Sequence, residues 1–241
     1  MPTSLSADSL QRLLSRRDLT NPRQGEHALQ TLARDALTAA GEALQLPVRL
    51  HRSLGVARDG EGVPRLQTVA TDSLQELLDL LRDEGASDIP MLACLGPVHA
   101  GQQDGALRLR GHRLALWVQA AGEALLPTLV RQVARGVLPD AGMRLLPEPG
   151  TTFDRGFRMD VHGGDGWMAV ATCGYLKLDG QEFTGIVMEL EPVLAVRKGL
   201  PDPSLVHSPD QRVQAQLLDL QPWKPLEPAE PDVSRPVRPA G

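Results

Sequence analysis

The chain has 241 residues, 41% of them hydrophobic and 3% aromatic, with a formal charge of −5. That length fits one large domain, or at most two small ones, around a core of Leu, Val and Ala. The negative balance, with no basic run and no interleaved aromatics, argues against a tRNA- or DNA-binding protein, whose affinity comes from neutralising phosphates.

Leu5, Leu10, Leu13 and Leu14 give residues 5–19 a short helical spacing that stops near Asn21-Pro22. Asn21 is a good cap and Pro22 suits a first turn, so a second helix is expected from Pro22 to Leu44. Its apolar residues Ala28, Leu29, Leu32, Ala36, Leu37, Ala40 and Leu44 fall at three- and four-residue steps. Leu46–His51 reads as a strand. Gly55–Pro64 is a turn-rich loop or hairpin that includes Gly60-Glu61-Gly62. Residues 72–84 form an amphipathic helix stopped by Gly85. Met91–Leu95 is a short buried strand bounded by Pro90 and Gly96-Pro97.

Alternation from Leu107 to Val118 predicts a strand, and Leu125–Val137 a helix. Residues 143–146, 157–162, 167–172 and 184–190 read as further strands. A helix runs from Pro192 to Lys198 and a last helical segment from Val213 to Leu220. Gly163-Gly164-Asp165-Gly166 is a hairpin turn, with no following helix or Lys to make it a phosphate loop. The fold class is α+β with a largely antiparallel sheet flanked by helices. Residues 1–21 form an N-terminal helical segment, 22–221 the core, and 222–241 a proline-rich tail expected to be extended or disordered.

Only three of the 25 basic residues are Lys, which we read as genome bias. Cys94 and Cys173 are far apart and outside any CxxC, as in a cytoplasmic protein with reduced core thiols. No apolar run approaches the ~20 residues of a membrane span. The six histidines form no HxxxH or HExxH pair, and no metal is expected; a set from Cys94, His99, His112 and Cys173 is conceivable only in space. Ser73, Ser204 and Ser208 lack the Gly-x-Ser-x-Gly setting of a hydrolase nucleophile. Asp160 reads as structural. Glu189 and Glu191, two apart on an expected strand, would share a face, with Arg113 opposite them.

Several polar strings carry a resemblance. Arg17-Asp18-Leu19-Thr20-Asn21-Pro22-x-Gln24-Gly25-x-His27-Ala28-x-Gln30 resembles the opening of stand-alone proteins related to the phenylalanyl-tRNA synthetase α subunit, a class II aminoacyl-tRNA synthetase. Leu92–His99 resembles that family's motif 2 strand. Trp167-x-Ala169-Val170 with Cys173-Gly174, Val206–Val213 and Gln216–Trp223 resemble later segments. Ile186–Asp202 resembles motif 3, where a Gly-rich strand ends in Gly-x-Asp-Arg before a helix.

The same alignment departs from the family at its chemistry. Ala100 and Gly101 stand where motif 2 continues with its phosphate-gripping arginines. His112, Arg113 and Ala115 replace a His-Gln-x-carboxylate set that reads the amino acid. Ala169 replaces a carboxylate. Glu189, Glu191 and Pro192 replace the motif 3 glycine, aspartate and ATP-clamping arginine. Each such group lost typically lowers the rate by ~10²–10³. The resemblance therefore implies a class II synthetase-like fold in a non-catalytic paralogue, a pseudo-synthetase with a vestigial pocket and no cofactor. It further implies a homodimer, or a heterodimer with an active synthetase-like ligase, through Leu29, Leu32, Leu37 and Pro47 of motif 1. The alternative is a ligase or small-molecule-binding protein with a rebuilt pocket.

Overall fold

The computed structural model describes residues 5–58, 63–67, 70–85, 91–101, 107–119, 124–149, 152–164 and 166–226. Residues 59–62, Asp165 and 227–241, on which part of the expected hairpin, the glycine turn and most of the tail fall, lie outside them. In chain order the elements are α1 (Ala7–Leu14), α2 (Ala28–Leu44), β1 (Val48–Arg52), β2 (Val56–Arg58), β3 (Pro64–Leu66) and α3 (Ala70–Asp83). There follow β4 (Met91–Gly101), β5 (Leu107–Gln119), α4 (Leu125–Val137), β6 (Met143–Pro147), β7 (Arg155–Gly163) and β8 (Gly166–Leu178). The chain closes with β9 (Gln181–Glu189), α5 (Leu190–Lys198) and α6 (Gln211–Gln216).

Seven strands form one mixed sheet in the order β1-β4-β5-β9-β8-β7-β6. Only β1 is parallel to its neighbour, pairing Val48–Arg52 with Met91–Leu95; the other pairs are antiparallel. β2 and β3 make a separate small hairpin. Alternation along β5 sorts the two layers. Leu114, Leu116 and Val118 join the core beneath α2, α4 and α5, while Ala115 and Trp117 face a second cluster with Leu74, Leu77 and Leu81 of α3, Phe153 and Phe183.

Three expectations are corrected. The helix expected from Pro22 is only a 3₁₀ turn, Pro22–Gln24, capped by the Asn21 side chain. Gly25 then takes φ 106°, open to glycine and strained for other residues, and α2 starts at Ala28 with His27 as its cap. β4 does not stop at Gly96-Pro97 but runs on to Gly101. Beyond Leu95 it has outrun β1, so Pro97 sits where β4 is an edge and a missing N–H is tolerated. The strand expected to reach Leu190 ends at Glu189, and Leu190 opens α5, whose first turn accepts Pro192.

Leu29 and Leu32 are 0% exposed and belong to the core, so neither is free to form a seam with another chain. Leu37 is half-buried and Pro47 exposed. The first tail residues, 222–226, are not loose: the Trp223 N–H donates to the Lys198 carbonyl, and Lys224 N–H to Gln216 Oε1. The buried Lys198 ammonium donates to the carbonyls of Asp219 and Gln221, tying this segment to the end of α5. Among the described residues no helix is long and apolar enough to cross a membrane.

Candidate functional site

The residues singled out in the sequence divide between the two faces of the sheet. On the α3 side lie Arg113 and Ala115 of β5 and Glu189 of β9, the last on the same side as Phe183 and Val187. Arg113 and Glu189 are directly opposed in the ladder, and Arg113 Nη2 lies 2.7 Å from Glu189 Oε1, with Nε donating at 2.9 Å. Behind them the face is filled. Ser53, Gln67, Cys94, Arg113 and Ala115 enclose only about 20 Å³, room for one water. Trp117 is fully buried there, tilted against Phe153 with ring centroids 5.4 Å apart. Ala169 is exposed further along the sheet, on β8, beyond this plug.

Glu191 does not share that face. Because the chain turns helical at Leu190, its carboxylate swings to the buried His112 instead. Oε1 lies 2.7 Å from His112 Nδ1 and 3.2 Å from His207 Nε2, and Oε2 accepts the His112 backbone N–H at 2.9 Å. Gly111 makes this approach possible, since a Cβ there would stand 2.8 Å from Glu191 Oε2. Burial alone would raise the Glu191 carboxyl, but the bonds from His112 and His207 outweigh it and hold it at about 2. His112 Nε2 accepts the Leu19 N–H at 3.2 Å, which places the ring proton on Nδ1, and Asp18 Oδ1 lies 3.5 Å from Nε2.

The Arg17–Gln30 string is the frame of this cluster. Asp18 accepts from the Thr20 N–H and hydroxyl. Gln24 takes the Asp18 N–H on its side chain and Arg17 Nε on its carbonyl, and Gln30 donates to the Leu19 and Gly25 carbonyls. His27 and His99 are buried nearby. Burial first, and the cations of Arg17 and Arg16 respectively, push each imidazole down to about 4. Among the described residues, His27 Nε2 and both ring nitrogens of His99 have no hydrogen-bond partner.

Glu189 and Glu191 meet again as walls of an open cleft of about 670 Å³ at the end of the β4–β5 hairpin. Ala100, Pro192, Ser204 and His207 complete it, together with Arg108, Arg110 and Arg113. The strand shift between Val98 and His99 puts Gly111 opposite Val98 and Leu109 opposite His99. Arg108 and Arg110, not singled out in the sequence, therefore stand beside Ala100. Asp160 is structural: Arg158 first, then Arg144, hold its carboxyl below the usual range. Burial pushes Cys94 and Cys173 up to about 11 and about 12, so both are poor nucleophiles.

No protein-family model and no curated protein sequence matches the chain. Solved structures do. The pyrrolysyl-tRNA synthetase PylSc of Desulfitobacterium hafniense superposes with a TM-score of 0.55 at 17% identity, over 83% of this chain and 78% of that one. A second pyrrolysyl-tRNA synthetase structure from the same organism gives 0.52 at 16% identity, over the same shares. The fold is that of the class II aminoacyl-tRNA synthetase catalytic domain. At such identity the likeness carries the fold alone. The cleft of this synthetase-like fold is lined by two carboxylates, one imidazole and three arginines.

Proposed function

We propose that this chain is a non-catalytic relative of the class II synthetases, of the phenylalanyl α-like type its motifs resemble. It acts in the cytoplasm by association, as a homodimer or as partner of an active synthetase-like ligase. The observation that carries this reading is the packed sheet face behind Arg113 and Ala115. Trp117, Phe153 and α3 leave about 20 Å³ where the resemblance would lay an amino acid. Arg113 is also spent on Glu189, so it is not a free counter-charge for a phosphate. Adenylate formation depends on cations placed at the phosphoryl centre.

The test is ATP–pyrophosphate exchange with each of the twenty amino acids and with pyrrolysine, beside light scattering of the pure chain. We expect no exchange, and a dimer or a co-purifying partner. Robust exchange with any one amino acid, lost on mutating cleft residues, would overturn the reading. A second reading, a small-molecule binder or ligase with a rebuilt pocket, is favoured by one observation. The 670 Å³ cleft carries Arg108 and Arg110, whose side chains pair with no carboxylate among the described residues.

A further inference from the structure

Three side chains from distant parts of the chain converge beside that cleft, two of them, Glu191 and His207, in its wall. His112 lies on β5, Glu191 in the first turn of α5, and His207 ends the 3₁₀ turn Pro203–His207. One ligand atom from each, His112 Nδ1, a Glu191 oxygen and His207 Nε2, lie within 4.8 Å of one another. The two imidazoles aim at the same carboxylate oxygen, at 2.7 and 3.2 Å. Their rings are nearly parallel, with centroids 5.9 Å apart. Two protons now hold the triangle together, and a cation that takes their place finds the same lone pairs aimed at it.

We propose that His112, Glu191 and His207 form a binding site for one divalent first-row transition ion such as Zn²⁺, with a coordination position open to the cleft. Two nitrogens and one carboxylate favour such an ion over Mg²⁺ or Ca²⁺, which take oxygen ligands. Bonds of about 2.0–2.1 Å set tetrahedral ligand atoms ~3.4 Å apart. The two imidazole–carboxylate spacings, 2.7 and 3.2 Å, lie just below that value, so only small side-chain rotations are needed. His207, with a side chain 32% exposed, is free to make them.

The surroundings fit an open site. Asp18 Oδ1 stands 3.5 Å from His112 Nε2; when Nδ1 gives up its proton to bind the metal and Nε2 carries the remaining ring proton, Asp18 can accept a hydrogen bond from Nε2–H, as carboxylates behind metal-bound histidines do. That exchange releases the Leu19 N–H from Nε2, a cost the metal bond must offset. Three protein ligands with a cleft beyond them match sites that bind an exogenous group, not closed structural sites. Arg108 and Arg110 at the rim would favour an anion or hydroxide as that group. The site goes beyond the proposed function and stands whether or not the cleft makes adenylate.

The experiment is titration of the full chain, first stripped with chelator, with Co²⁺ followed visibly and with Zn²⁺ in competition. We expect one Co²⁺ per chain, visible d–d absorption without a thiolate charge-transfer band, and displacement by Zn²⁺. His207→Ala, which removes the partly exposed ligand and leaves the core alone, should weaken binding at least ~10-fold. Glu191→Gln, checked for folding by circular dichroism, should do the same. Binding as tight in His207→Ala as in the unaltered chain would overturn the proposal. So would substoichiometric binding, or a thiolate band that puts the metal on cysteine.

Discussion

Acid should destabilise this protein well before its carboxylates are protonated, and two histidines should carry most of the effect. His27 and His99 are 2% and 5% exposed and titrate at about 4 in the folded chain, against 6.5 when unfolded. A folded pKa below the unfolded one means that the unfolded chain binds the proton first. The stability is intact above about pH 6.5 and is lost as pH falls toward 4. At about pH 4.5 the linkage amounts to ~2.5 kcal/mol for each ring, ~5 kcal/mol together. That is comparable with the whole stability of many domains. Glu191, held at about 2, adds its own loss only below its unfolded value near 4.5. Urea unfolding followed by Trp fluorescence at pH 7 and pH 4.5 measures the difference. His27→Asn keeps an N-cap acceptor for the Leu29 N–H, and His99→Leu removes two unpartnered nitrogens. Each variant should recover about half of the acid loss. If both lose as much stability as the unaltered chain over this interval, the reasoning is refuted.

Gly185→Ala should destabilise by about 1–3 kcal/mol, because the new Cβ would lie 2.4 Å from Cε3 of the immovable Trp117 and 3.0 Å from the Leu116 carbonyl. A shift of the denaturant midpoint at unchanged m-value reads this out; an unchanged midpoint would show that the plug over the sheet is loose. Lys198→Met leaves the Asp219 and Gln221 carbonyls without their ammonium and should cost about 1–3 kcal/mol. Limited proteolysis should then cut first between 217 and 226, a preference absent from the unaltered protein.

Much of the fold was legible in the sequence because periodicity reports burial. The helix Leu125–Val137 was read with its observed bounds, since its apolar stripe meets the core along its whole length. Boundaries failed where tertiary context overrode a local signal. Gly96-Pro97 looks like a stop, yet β4 continues, because pairing with β5 does not need what β1 no longer supplies. Arg113 was expected, from the resemblance, to answer both Glu189 and Glu191; it pairs with Glu189, while Glu191 turns to His112. The His112–Glu191–His207 cluster was not expected. It depends on the strand ending at Glu189, two residues before Glu191, which sends that side chain to the opposite side from Glu189. The one signal that could have found it is Gly111, a small residue before a histidine where a carboxylate has to come close.

The loop from Arg17 to His27 has a consequence for how this protein can vary. Gln24 holds Arg17 and Asp18 together, Asp18 holds Thr20, and the Thr20 carbonyl in turn takes Arg52 of β1. Groups that hold one another in a chain of hydrogen bonds do not have separate energies: the first substitution breaks the chain, and the next finds less left to break. Substitutions at Asp18 and Gln24 should therefore be strongly non-additive, with a coupling on the order of 0.5–3 kcal/mol. A lineage can drift freely on the exposed face of α2, but through this loop it can move only by compensated steps, several residues at once.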